Sequence, residues 1–221
     1  MAKIFVAIPV HRNIEHRTYQ DFLETVRGSE HKIAHFLRFG DGLISRVRNE
    51  IGQMFLEKDY DYLMFIDDDI TWRAEEKPID RLVSRGQDIV AGIYPVRDST
   101  LRPAIRTVRQ QWVLENEGTF EKAVWPEGSV FRTKYVSTGF MLISRKCFEA
   151  VSKAHPFPFA PMPGITAKGK DKPEYLSEDW AFCQRASDMG YTIWADSSFT
   201  LGHIGQCIYT LTGVKSIDQV L

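Results

Sequence analysis

Three consecutive carboxylates, Asp67, Asp68 and Asp69, follow directly on the apolar run Asp61–Ile66 (DYLMFI). Adjacent like charges repel, and a divalent cation relieves the conflict; hard oxygen ligands suit Mg²⁺ or Mn²⁺. Along an extended segment alternate side chains point the same way, so Asp67 and Asp69 can share a target while Asp68 turns elsewhere. The plainer alternative is a solvated acidic turn. Upstream, Arg46-Val47-Arg48-Asn49 lies near the start of a helical pattern. An arginine there can pair with a diphosphate or lie against a base, and Asn49 can hydrogen-bond to either, unless this is an ordinary solvated helix face. Downstream, Ser177-Glu178-Asp179-Trp180 opens another helix after a proline-rich stretch. Carboxylates in a first helical turn are stabilised by the helix dipole even when they do no chemistry. An acid beside a flexible lid is, however, how many transferases cover a reacting centre. His203 stands between Gly202 and Gly205, which let a ligand approach the backbone closely, although a lone histidine is more often structural.

The elements that must carry these residues alternate in period. Lys3–Val10 (KIFVAIPV) reads as a buried strand, and Tyr19, Phe22, Leu23 and Val26 then fall at helical spacing until Gly28. Lys32–Phe39 is a second strand, closed by Gly40-Asp41-Gly42, and Ile44, Val47, Ile51 and Phe55 mark one face of a second helix. Asp61–Ile66 is a third strand, followed by a short helix over Ile79–Arg85 and a fourth strand, Asp88–Tyr94. Such alternation predicts right-handed crossovers and a mainly parallel, doubly wound α/β sheet. In open sheets of that kind ligands bind beyond the carboxyl ends of the strands, which is where the acidic triplet falls. The second half changes character. Val113–Val124 and Val130–Ser144 read as strands of a mixed or antiparallel extension with Phe140–Ile143 buried, and Cys147–Lys153 as a short helix. Residues 155–174 hold five of the ten prolines and read as a mobile loop. Glu178–Met189 is helical with Ser177 as N-cap, Tyr191–Ala195 is a last short strand, and Gly202-His203-Ile204-Gly205 opens a turn.

Composition narrows the classes. With 28 Lys+Arg against 29 Asp+Glu the formal charge is −1, so nucleic-acid binding by bulk electrostatics is excluded. A 221-residue chain with 43% hydrophobic and 26% charged residues is neither disordered nor a small disulfide scaffold, and is expected to form one domain. No apolar stretch approaches the roughly 20 residues of a membrane-spanning helix. Cys147, Cys183 and Cys207 are odd in number and lack CxxC spacing, which fits reduced thiols in the cytoplasm better than disulfides or zinc.

Taken in order, these motifs resemble a GT-A fold glycosyltransferase of the family-2-like kind. Ser45–Ile70 (SRVRNEIGQMFLEKDYDYLMFIDDDI) is similar to the family's "RN" helix followed by a strand ending in the DxD motif. Ser137–Ile143 (STGFMLI), with Gly139, resembles the sugar-side strand; Glu178–Gly190 (EDWAFCQRASDMG) resembles the "ED" helix, and Gly202-His203 the late histidine of metal-dependent members. The compactness is similar to that of small glycosyltransferase domains encoded by phages and by large DNA viruses such as chlorella viruses. The resemblance implies a single GT-A domain over 1–221. Residues 1–100 would form a Rossmann-like nucleotide-binding half, and residues 101–221 an acceptor and catalytic half with a mobile loop at 155–174. It implies that Pro9 and Val10 belong to the base pocket, with Arg12 and Asn13 in the loop beyond, and that Arg48 and Asn49 face the nucleotide or its diphosphate. Asp67 and Asp68 would lie by the ribose and donor sugar, with Gly139 on the donor side. Asp69, with Asp67 and His203, would hold Mn²⁺ or Mg²⁺. Asp179 would be the general base and Glu178 would orient the acceptor. The family's QxxRW motif of processive members is missing, which implies transfer of a single sugar.

That chemistry is coherent. Displacing a nucleoside diphosphate requires neutralising charge on the leaving group, and one carboxylate can take the acceptor's proton. A single base opposite the leaving group implies in-line attack and inversion. The expected donor is a UDP-sugar and the expected acceptor a hydroxyl of a glycan or glycoprotein. The expected location is the cytoplasm, that of the host if the chain is viral. Two other readings compete. Asp67-x-Asp69-x-Thr71 fits the DxDxT signature of haloacid-dehalogenase-like phosphatases, although that motif normally closes the first strand and here two βα units precede it. A non-catalytic nucleotide-sugar-binding domain is the other, with Trp72, Trp112, Trp125 and Trp180 as stacking surfaces. Arg97–Arg109, with four arginines and one Asp, could contact an anionic acceptor, although a solvated loop is the plainer reading.

Overall fold

Alternation in the first strand, β1 (Lys3–Val10), divides its side chains between two cores: Ile4, Val6, Ile8 and Val10 on one face, Phe5 and Ala7 on the other. A strand buried on both faces needs helices on both sides, and the computed structural model has them. It describes residues 1–97, 103–106, 128–164, 175–205, 207–210 and 213–215. The strand expected over 113–124, Trp112, Trp125 and the 165–174 part of the loop lie outside these residues.

The chain continues through α1 (His16–Gly28), β2 (Lys32–Phe39), α2 (Ile44–Leu56), β3 (Tyr62–Ile66), β4 (Ile70–Trp72), a 3-10 turn (Ala74–Glu76), α3 (Pro78–Ser84) and β5 (Ile89–Gly92). It then forms β6 (Ile105–Arg106), β7 (Val130–Thr133), β8 (Tyr135–Val136), β9 (Phe140–Ser144), α4 (Arg145–Ala154), β10 (Met162–Pro163) and β11 (Tyr175–Leu176). Helix α5 (Glu178–Asp188) precedes β12 (Ile193–Asp196), β13 (Leu201–Ile204), β14 (Ile208–Thr210) and β15 (Gly213–Lys215). Val47, Ile51 and Phe55 of α2, Phe148 and Val151 of α4, and Phe182 and Ala186 of α5 share one core. Phe22 of α1, Ile79 and Leu82 of α3, and Trp72 and Leu201 of the small sheet share the other. The helix faces follow the apolar spacing, and α2 and α4 approach so closely that a Cβ on Gly52 would stand 2.4 Å from Phe148 Cζ. No helix among the described residues is long and apolar enough to cross a membrane.

The sheet itself corrects an expectation. Its seven strands run in the order β2-β1-β3-β9-β5-β12-β7. Pairs β1–β2, β1–β3 and β5–β12 are parallel, whereas β3–β9, β5–β9 and β7–β12 are antiparallel. The class is α/β, but the sheet is mixed rather than mainly parallel, because β9 from the second half inserts between β3 and β5. Three local expectations also change. Ile193–Asp196 is not the last strand, since β13, β14 and β15 follow. His203 lies within β13, not in a turn, and a Cβ on Gly202 would meet Thr71 Cγ2 at 2.8 Å and Ile208 Cγ2 at 2.9 Å. The glycine serves close strand packing. Ser177 stands at the N-cap of α5, but its hydroxyl donates to Asp179 instead of accepting from the helix backbone.

The described part of the proline-rich segment is anchored. Phe159 is buried, and its N–H donates to Asn49 Oδ1 at 3.0 Å. Arg185 donates to Pro158 O at 2.8 Å and Ala160 O at 2.6 Å, and β10 pairs with β11.

Candidate active site

The acidic triplet bridges two sheets, because β3 belongs to the large sheet and β4 to a small antiparallel one, ordered β15-β14-β13-β4. Its backbone is held from three directions. Asp67 N–H donates to Gly139 O at 3.0 Å, Glu15 N–H donates to Asp68 O at 2.9 Å, and Ile204 N–H donates to Asp69 O at 2.7 Å. The pairing of β13 with β4, in which His203 faces Ile70, carries the histidine to the triplet.

Each carboxylate has its own environment. Asp67 accepts from Arg48 NH2 at 2.7 Å; burial raises its pKa, Arg48 works against that, and Asp69 adds to it. Asp68 accepts from His11 N–H at 3.2 Å and is pushed up to about 6 by burial and by Asp69. Asp69 lies 2.8 Å from Arg97 NH1 and 3.3 Å from His203 Nε2. His203 Nδ1 lies 2.9 Å from Pro95 O. With Nδ1 at that carbonyl, His203 turns Nε2 toward a carboxylate oxygen of Asp69. An imidazole nitrogen and a carboxylate oxygen so placed are two donors that could hold a metal ion. Among the described residues no group of three or more His, Cys, Asp or Glu is gathered around one such point. Two protein ligands suffice where waters and substrate phosphates complete the shell, as is usual for Mg²⁺.

Arg48 joins this cluster to the acid pair on α5. It is 3% exposed and holds Asp67 through NH2 and Glu178 through NH1, two carboxylates supplied by segments 111 residues apart in sequence. Burial alone would lower its pKa, but Asp67 and Glu178 outweigh that and raise it. Its Nε–H has no hydrogen-bond partner among the described residues. Glu178 is raised by burial against the pull of Arg48. Asp179 is 9% exposed; its Oδ1 accepts from Ser177 Oγ and from Trp180 N–H at 2.8 Å, while Oδ2 has no donor among the described residues. A carboxylate oxygen without a donor has the lone pairs that a general base needs.

Solved structures with this arrangement of elements include one from a virus. The crystal structure of A197 from STIV is similar over 97% of this chain and 94% of that one, with a TM-score of 0.58 and 19% identity. The likeness is one of fold. A glycosyltransferase involved in the glycosylation of the major capsid of PBCV-1 also matches, over 68% of each chain with a TM-score of 0.34 and 11% identity, too low to carry an inference. No family model and no curated protein matches the sequence.

The expected site residues separate into two groups. Asp67, Asp68, Asp69, His203, Glu178, Asp179, Arg48 and Gly139 come together at the carboxyl edge of β3. Pro9 and Val10 are buried at the end of β1, and the exposed Arg12 and Asn13 sit in the adjoining loop, which is fastened to Asp68 at His11 and Glu15. Arg48 lies between two acids, Asp67 and Glu178. Asn49 Nδ2 donates to Ser45 O at 2.8 Å, and its Oδ1 accepts from Phe159 N–H. Two residues at the site were not singled out. Tyr94, just beyond β5, accepts from Gly139 N–H at 3.0 Å; burial, then Asp67 and Asp179, holds its hydroxyl proton far above the ordinary range. Its position past the end of a strand was a signal. Arg97, read as part of a solvated loop, offers a half-exposed guanidinium to Asp69 and also donates to Ile204 O at 3.2 Å.

Proposed function

We propose that the chain is a glycosyltransferase of the GT-A kind that moves a single sugar from a nucleotide-sugar, with a UDP-sugar favoured, to a hydroxyl of a glycan or glycoprotein. The observation that supports this most is the Arg48 bridge, which joins an acidic triplet at a strand's carboxyl end to an acid pair at a helix start. One group of acids beside a donor and another beside an acceptor is what inverting transfer needs. The haloacid-dehalogenase reading asks Asp67 to be a free nucleophile, and a carboxylate tied to Arg48 suits that poorly.

In this reading Asp179 accepts the acceptor's proton at Oδ2, and Ser177 and the Trp180 N–H hold the other oxygen so that the carboxylate keeps one orientation. Glu178, tied to Arg48, borders the acceptor. Asp67 and Asp68 lie by the ribose and sugar, and the loop after β1, with Pro9, Val10, Arg12 and Asn13, borders the base. Arg48 acts as a positioning residue, and Arg97 is the guanidinium that meets the diphosphate. Asp69 and His203, with Asp67 close by, would hold Mn²⁺ or Mg²⁺, which when bound neutralises charge on the leaving diphosphate. Buried thiols fit a reducing cytoplasm: Cys147 and Cys183 are free and buried, and burial pushes Cys183 up to about 12.

Product stereochemistry read by NMR from nucleotide-sugar turnover tests the mechanism. Inversion at the anomeric carbon is expected, and retention would reject Asp179 as the single base. Asp69→Ala is expected to abolish metal-dependent nucleotide binding while leaving the far-UV circular dichroism unchanged. Calorimetric titration with UDP and Mn²⁺ giving wild-type affinity would refute the role of Asp69.

A further inference from the structure

A cavity of about 660 Å³ opens between the outer side of α2 and the anchored segment 156–161. That volume is in the range of small-molecule sites, roughly 300–1,000 Å³. Its two walls differ in kind. The segment contributes Pro156, Phe157 and Pro161; the helix contributes Arg46, Asn49, Glu50 and Gln53. Phe157 is 68% exposed, an unusual place for a large aromatic side chain. It is nonetheless carried on fixed backbone, since Phe159 is buried in the core and the carbonyls of Pro158 and Ala160 accept from Arg185.

The polar wall is equally ordered. Arg46 donates to both oxygens of Asp41, at 2.7 and 2.8 Å, and Glu50 accepts from Arg38 NH2 at 3.1 Å. Asn49 is fixed at both ends of its amide. These planar groups lose little freedom when a ligand arrives. Each charge has its counter-charge, so the wall suits a neutral ligand with hydroxyl groups. A lipid tail would need apolar walls on both sides, and an anion would find its guanidinium already paired.

We infer that this cavity binds a neutral saccharide, its C–H face against Phe157 and its hydroxyls toward Gln53 and toward Glu50, of which Arg38 holds one oxygen. The cavity and the acid pair share helix α2, whose outer side lines the one while Arg48, on its buried side, holds Glu178. On the glycosyltransferase reading the saccharide bound here is the acceptor or a part of it, whereas saccharide binding itself does not rest on that reading.

Saturation-transfer NMR on the full chain, with a panel of methyl hexosides and short neutral oligosaccharides, tests the inference. At least one is expected to receive saturation at its ring C–H protons. Phe157→Ala is expected to weaken that saccharide tenfold or more, and Glu50→Gln to weaken it severalfold. UDP–Mn²⁺ affinity should remain at the wild-type value in both variants. No binding by any saccharide, equal binding in the wild type and Phe157→Ala, or preferential binding of a fatty acid at the same residues overturns the inference. Nucleotide-sugar turnover without Phe157-dependent saccharide binding would remove the subsite and leave the proposed function standing. Phe157-dependent binding without any turnover would do the reverse.

Discussion

Arg48 carries two carboxylates on one guanidinium inside the fold, and its removal would leave both without a counter-charge. Losing one partner of a buried pair costs about 3–5 kcal/mol, because the remaining charge stays desolvated. Arg48→Met should therefore be destabilised by that order in urea denaturation, and Arg48→Lys, which keeps the charge but lacks the fork, should fall between it and wild type. Gly139 offers a second test at this scale. A Cβ there would sit 2.3 Å from Tyr94 Oη and 3.0 Å from Asp67 Oδ2. Gly139→Ala should cost about 1–3 kcal/mol by overpacking, lowering Tm by several degrees. Because the displaced groups border the triplet, nucleotide affinity should fall in the same variant. A fall in Tm with unchanged affinity would separate Tyr94 from the site. Sequence alone marks the acids and His203 through their neighbours in the chain. It marks Tyr94 only as the end of a strand and Arg97 only as one of several arginines; what the folded chain brings opposite them is not in the spacing.

Between elements, a buried polar cluster ties α1 to β4, the strand that leaves the triplet. Asp21, 6% exposed, accepts from the Thr71 hydroxyl and from Trp72 N–H at 3.1 Å, and Trp72 Nε1–H donates to Thr25 Oγ1 at 2.7 Å. Burial raises the Asp21 pKa, with the Thr71 and Trp72 bonds opposing. The native state thus keeps this proton to higher pH than the unfolded chain does. Its stabilising contribution is complete below the ordinary carboxylate value of about 4 and declines as pH rises through the elevated native value. Asp21→Asn retains an acceptor and removes the titration, so its urea midpoint should vary less with pH across the acid range than that of the wild type. An unchanged slope would refute this. Elements themselves were legible wherever period decides them: α1, α2, α3, α4 and α5 fall on their apolar stripes, and β1, β2 and β3 on their runs. The position of β9 was not legible, because FMLI says that a strand is buried and nothing about which strands lie beside it. The strand at Leu201–Ile204 is not legible for a related reason, since a glycine reports room needed and does not say whether a turn or a packed strand needs it.

Over the whole molecule, residues 1–100 and 101–221 are not two folding units. β9 pairs with β3 through five residues and with β5 through three, so neither half has a closed sheet without the other. A fragment ending at residue 100 is expected to lack a cooperative urea transition and near-UV dichroism. A fragment that melts cooperatively would show the halves to be separable.

The inserted strand also sets an order of events during synthesis. Ile66 leaves the ribosome well before Phe140, and at roughly 5–20 residues per second the interval is on the order of 4–15 s. For that time the nascent chain presents β3 and β5 with unpaired backbone edges rich in Leu, Ile, Val, Met and Phe, the kind of surface that recruits another strand or a chaperone. Yield in a cell should thus depend on translation speed through residues 67–139 more than on the stability of the finished protein.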